Sequence, residues 1–111
     1  MNIQIFGSKK SNDSKKAERW FKERRIKYQY IDLYAKGLSL GEYRSVKAAV
    51  GFEALVDTRC GAYEDLGLQY VPPQAVDACI ADCPAVFNAP IVRNGKQATV
   101  GYHPEIWETW K

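Results

Sequence analysis

Histidine occurs only once in the 111 residues, as His103, and methionine only once, at position 1. A lone histidine and three cysteines without paired spacing (Cys60, Cys79 and Cys83) provide no structural zinc set, so no metal and no bound cofactor are expected. An odd number of cysteines also leaves no complete disulfide framework, and reduced thiols are the expectation. No apolar run approaches the length of a bilayer span, so no membrane association is expected. The opening MNIQIFGSKK carries its positive charges after its apolar residues, the reverse of a secretory signal, and a cytoplasmic location is expected. Net charge is only +3, and beyond Lys9 to Arg25 the basic residues are spread along the chain, so direct nucleic-acid contact is not expected.

What is present is an ordinary globular composition, 46% hydrophobic and 26% charged. The length suits one domain, 1–111, expected as a monomer. Ile3 and Ile5 alternate with polar residues before Phe6 and Gly7, which predicts a strand ending in a turn. Ala17, Trp20 and Phe21 then fall at helical spacing, with Asn12, Asp13 or Ser14 available as cap, which predicts a helix from about Asp13 to Arg25. Lys27 to Leu33 alternates as a second strand. Ser39 with Glu42 forms a capping-box pattern ahead of a helix over Ser39 to Val50. A helix is expected to start at Pro72 and Pro73 and to run through Ile80 to about Asp82. Asn94-Gly95 between two β-rich runs predicts a hairpin, and His103 to Lys111 has the spacing of a closing helix. The order is β-α-β, a helical middle at about 38–85, then β-β-α. This is an α/β, thioredoxin-like arrangement with a helical insert.

The stretch FGSKKSNDSKKA places Ser11 between the first strand and the first helix, among Lys9, Lys10, Lys15 and Lys16. The free N–H groups of a helix start stabilise negative charge, which suits a nucleophile, but a serine hydroxyl needs an adjacent base and no histidine is near in sequence. Ser at a helix start also serves as a simple cap.

Three motifs carry a family resemblance: FGSKKSNDSKKA, then Thr58-Arg59 with YEDLGL, then NAPIV with Gly101-Tyr102. Together they resemble the arsenate reductase family of the glutaredoxin-linked type, which includes the Spx-like regulators. The resemblance implies a nucleophilic cysteine or selenocysteine at the position of Ser11. Ser11 is then a replaced nucleophile, the mark of a naturally inactive partner-binding member, or a cap. The function the resemblance implies first is a thiol-dependent oxidoreductase of the arsenate reductase and glutaredoxin-like type, expected to lack thiol chemistry as written because Ser11 holds the nucleophile position.

The resemblance further implies a catalytic role for Arg59, as an oxyanion ligand, against its reading as a surface arginine. It implies a binding role for Lys9, Lys10, Asn12, Ala89 and Pro90, with Pro90 matching a cis-proline beside the nucleophile. Ala89 stands where arsenate-using members have an arginine, and Asp57 occupies the place of another, so arsenate reduction is not expected. Cys60, Cys79 and Cys83 are possible resolving thiols or small packing residues; Cys79 and Cys83, four apart, are expected on one helix face. The implied co-substrate is glutathione or glutaredoxin, and the implied partners are glutathione or a thiol protein. The other reading is a non-catalytic Spx-like module that binds RNA polymerase or another protein; Ser14 stands where those regulators have the second cysteine of a CxxC pair.

Overall fold

The computed structural model describes residues 2–110. In chain order it contains β1 (Ile3–Gly7), α1 (Asn12–Glu23), β2 (Tyr28–Asp32), α2 (Leu33–Lys36), α3 (Leu40–Val50) and α4 (Phe52–Leu55). These are followed by α5 (Gly61–Asp65), α6 (Val76–Ala81), β3 (Ile91–Asn94), β4 (Gln97–Val100) and α7 (Pro104–Trp107). Single 3-10 turns lie at Leu68–Tyr70, Pro73–Ala75, Pro84–Val86 and Glu108–Trp110.

The four strands form one sheet in the order β2-β1-β3-β4. β1 and β2 are parallel, as a strand–helix–strand crossover requires, and β3 runs antiparallel to both β1 and β4. This is the thioredoxin-like α/β arrangement expected from the sequence. Period-two alternation sends Ile3, Ile5 and Val92 to one face, where they pack with Ala17, Trp20, Phe21 and Trp107. Phe6 and Ile91 go to the other, against Leu33, Tyr43, Val46, Leu55, Ile80 and Phe87 of the helical middle. Two cores thus sandwich the sheet.

Several predicted boundaries move. α1 ends at Glu23 rather than Arg25, because Arg25 takes a left-handed φ of 57°. The Ile26 N–H then reaches back to Phe21 O at 3.0 Å, closing a Schellman-type end. The second strand stops at Asp32, whose carboxylate caps α2 through the N–H groups of Tyr34 and Ala35, so the helical middle begins at Leu33 rather than about 38. The Ser39–Glu42 capping box forms as expected, and α3 runs from Leu40 to Val50.

The segment from Pro73 opens as a 3-10 turn, and α6 stops at Ala81. Cys83, just before Pro84, lies outside the helix at ψ 80°, so the expected one-face pairing of Cys79 and Cys83 does not hold. A residue preceding proline is pushed out of the helical region. In the hairpin, Asn94 still belongs to β3 and the two-residue turn is Gly95-Lys96, with Gly95 at φ 62° supplying the positive angle at its first position. The closing helix breaks at Trp107 into a 3-10 turn, and its expected end at Lys111 lies outside the described residues.

Among the described residues no helix is long and apolar enough to cross a membrane. The α1–β2 seam contains a titratable contact. The Tyr28 phenol is pushed up to about 12, first by burial, then by its hydrogen bond to the Glu18 carboxylate and that group's charge. A phenol raised in the folded state contributes stability that is present below its ordinary pKa of about 10 and is lost as pH climbs through the folded value. The expected result is a wild-type stability that declines between about pH 10 and about pH 12 more steeply than that of Tyr28→Phe. Urea unfolding of both proteins at about pH 9 and about pH 11 checks it, and equal declines would refute the assignment.

Candidate functional site

The elbow between β1 and α1 is built from serine hydroxyls. Ser11 is the N-cap of α1, and its Oγ accepts the Ser14 N–H at 3.1 Å. Ser14 is buried, and its Oγ accepts the Ser8 N–H at 3.1 Å. The Ser8 Oγ in turn accepts the Lys10 N–H at 3.2 Å, and the Ser11 N–H closes the turn on Ser8 O at 3.0 Å. Positions 11 and 14 therefore both act as backbone acceptors that fix the loop. Gly7 is required by this crowding: a Cβ there would lie 3.0 Å from the Ser14 Cβ and Oγ and 3.1 Å from Tyr30 Cε2.

Among the described residues the hydrogen bond of the Ser11 hydroxyl is to the Ser14 N–H and none is to a basic side chain. The one histidine, His103, is engaged at both ring nitrogens, with Val100 O at 2.8 Å and Glu105 Oε1 at 3.0 Å. Asn12 opens α1, and Lys9, Lys10, Lys15 and Lys16 are exposed around the elbow. They make it a positively charged knob at a helix N-terminus.

The Ala89–Pro90 bond is cis, as the resemblance implied. The antiparallel register pairs Phe6 with Ile91, which brings Pro90 alongside Gly7, at the strand end from which the elbow departs. The Pro90 carbonyl accepts the Gly101 N–H at 2.8 Å. The helical middle is stapled to the segment ahead of Pro90 by the Val56–Phe87 bridge, with Asp57 N–H on Val86 O at 2.8 Å and Asn88 N–H on Leu55 O at 2.9 Å.

That staple shapes a cavity of about 490 Å³ lined by Glu53, Val56, Asp57, Thr58, Arg59 and Asn88. Arg59 thus sits beside the Asn88-Ala89-Pro90 segment, while Ser11 is not among the residues lining the cavity. Glu53 and Asp57 set two carboxylates against one guanidinium, and the Asp57 Oδ1 accepts the Arg59 N–H at 3.0 Å. Such a lining disfavours an oxyanion. Cys60 follows Arg59, its thiol donating to Asp57 O at 3.2 Å. Cys79 and Cys83 lie outside this cavity, and all three thiols are free.

One role and one residue are not foreseen from sequence. Ser14 is offered there as a possible cap and as the position of a second CxxC cysteine, but not as the buried acceptor that organises the elbow. Tyr34 on α2 donates its hydroxyl to Phe87 O at 3.1 Å, and desolvation together with the neighbouring Cys60 holds its phenol above the ordinary range. Nothing in a four-residue helix could have announced that contact.

The ArsC family model matches residues 6–110. A relative named global transcriptional regulator Spx 2, from Oceanobacillus iheyensis, is 25% identical over all of this chain and 94% of its own length. The global transcriptional regulator Spx of Staphylococcus haemolyticus is also 25% identical, over 93% of this chain and 82% of its own. Among solved structures, an arsenate reductase from Vibrio cholerae shares the fold with a TM-score of 0.78 at 23% identity, covering 96% of this chain and 94% of that one. An arsenate reductase (ArsC) related protein from Brucella melitensis does so with a TM-score of 0.62 at 21% identity, over 99% and 94% of the two chains.

Proposed function

Because the chain belongs to the ArsC family, we propose that it acts there as a non-catalytic, Spx-type binding module that contacts a protein, RNA polymerase in the first instance, through its basic elbow. One observation carries this reading: Ser11, at the family's nucleophile position, has its Oγ committed to the Ser14 N–H as a helix cap, and the only histidine is engaged elsewhere. Names of relatives at 25% identity that speak of transcriptional regulation support it. A cytoplasmic setting belongs to the same reading. The test is capture of purified RNA polymerase on the immobilised full chain. Wild type is expected to retain polymerase at low salt, and Lys9→Glu with Lys10→Glu to retain about tenfold less, since exposed lysines act as screened charges. Equal retention by both would refute elbow docking, and no retention would refute this partner.

A second reading, a thiol oxidoreductase site silenced by Ser11, is favoured by the position of Pro90, alongside Gly7 and the lysine-rich elbow. Glutathione or glutaredoxin would be the co-substrate. Lys9, Lys10, Asn12, Ala89 and Pro90 would present the binding surface, with Cys60, next to Arg59, as the candidate resolving thiol. Arsenate is disfavoured as substrate by the carboxylates flanking Arg59 and by Ala89.

A further inference from the structure

β2 is the outer strand of the sheet, and among the described residues its ladder is with β1 alone, in unbroken register from Ile3–Tyr28 to Gly7–Asp32. Tyr28-Gln29-Tyr30-Ile31-Asp32 holds no proline and no bulge, two of the devices that usually blunt an edge. Alternation sends Ile31 to the core shared with the helical middle, and Tyr28 and Tyr30 to the side of α1. On that side two hollows open along the seam. One, about 450 Å³, is lined by Lys22, Arg25, Ile26, Lys27 and Tyr28. The other, about 310 Å³, is lined by Lys9, Ser14, Lys15, Glu18 and Tyr30.

We propose that the free edge of β2 takes up an extended acidic segment of another protein as an added strand, its alternate carboxylates entering the two basic, tyrosine-floored hollows. Tyr28 and Tyr30 are two residues apart, about 7 Å along a strand, which is also the repeat of same-face side chains in an added strand. Backbone groups of the edge supply the ladder, and the lysines and Arg25 select for negative charge. Two acidic residues lie along the edge, Glu18 against the Tyr28 hydroxyl and Asp32 at the end of β2, where its carboxylate caps α2, against the five basic residues of the two hollows. A second copy of this chain is disfavoured as the occupant. Antiparallel pairing of two β2 edges would set the α1 basic rows, Lys15, Lys22 and Arg25, against each other on one face of the joined sheet. This surface goes beyond the elbow reading, since it needs neither Ser11 nor Pro90.

The probe is a blocked peptide alternating glutamate with valine, titrated into the isotopically labelled full chain. The expected result is amide shifts and slowed exchange at Gln29 and Ile31, with no comparable change at Arg59 or Asn88. The same peptide N-methylated at alternate residues keeps its charge and side chains but lacks ladder donors, and is expected to bind at least about tenfold more weakly. Lys22→Glu with Lys27→Glu should weaken the unmethylated peptide by about tenfold, its amide spectrum elsewhere unchanged. Equal binding of the two peptides would reduce the effect to surface electrostatics and overturn the proposal. So would an absence of shifts in β2, or a concentration-dependent dimer protecting β2 without peptide. The elbow reading is scored separately by polymerase capture with Lys10→Glu alone, since Lys9 lines the second hollow and belongs to both surfaces while Lys10 lines neither hollow.

Discussion

Ser11→Cys, in a background where Cys60, Cys79 and Cys83 are replaced, is expected to create a thiol that titrates well below the ordinary value of about 8.5. Position 11 caps a twelve-residue helix, and the Ser14 N–H that now bonds the hydroxyl at 3.1 Å would bond the thiolate instead. A charge-assisted bond and the helix N-terminus together hold the thiol below its ordinary range. The four surrounding lysines add less, because they are exposed and screened. The informative readout is the pH midpoint of iodoacetamide alkylation rather than the rate at neutral pH. A thiolate of lower pKa is also a weaker nucleophile, so the gain in thiolate fraction is partly cancelled. A midpoint near the free-thiol value would sink the silenced-oxidoreductase reading. At pH low enough to keep the sulfur protonated the variant should also lose about 0.5–1 kcal/mol of stability, because a neutral thiol is a poorer cap acceptor than a hydroxyl, and that loss should shrink as pH rises and the thiolate forms.

Trp107→Ala is expected to be the most damaging single change to the fold, at about 3–5 kcal/mol. Trp107 is fully buried and forms the centre of an aromatic cluster, with ring centroids 5.4 Å from Trp20, 5.0 Å from Phe21 and 5.5 Å from Tyr102. Its indole N–H donates to the buried Thr99 Oγ1 at 2.7 Å, joining α7 to β4. Truncation removes the ring, opens a cavity under α1 and strips Thr99 of that donor. Against a total stability of typically about 5–15 kcal/mol, this brings the chain near the limit of folding. Trp107→Phe, which keeps most of the ring but not the N–H, should cost about 1–2 kcal/mol. Urea unfolding of both variants checks the ordering, and a loss under about 1 kcal/mol for Trp107→Ala would show that this cluster is not the anchor described.

Elements specified by side chains near in sequence were legible. The Ser39–Glu42 box set the start of α3, alternation set β1, and the i, i+3, i+4 stripe set α1 and the burial of Trp20 and Phe21. Errors arose where one residue's backbone conformation decides a boundary, as with Arg25 in the left-handed region and Cys83 ahead of Pro84. The four-residue helices α2 and α4 carry no periodicity. They are held by distant partners: Tyr34 by Phe87 O, and Leu55 through the Asn88 N–H. At the elbow, serine capping was readable as a class, but Ser14 rather than Ser11 proves to be the buried hinge of the loop. Arg59 was found by motif alone, and its carboxylate company from Glu53 became visible only once α4 was placed.

The Val56–Phe87 bridge joins residues about thirty positions apart. Closing a loop of that length costs roughly 3 kcal/mol of chain entropy, against a few backbone hydrogen bonds worth about 1 kcal/mol each. Those bonds alone leave only a slight surplus, and the burial of Leu55, Val56, Val86 and Phe87 in the core of the helical middle holds the staple shut, so it opens only together with that core, in a sub-global unfolding. The Arg59 cavity has walls on both sides of that staple and exists only while it is shut. Its occupancy by any ligand is thus linked to a sub-global opening equilibrium. A molecule that bound there would register first as slower exchange of the Asp57 and Asn88 amides, which bond across the staple to Val86 O and Leu55 O.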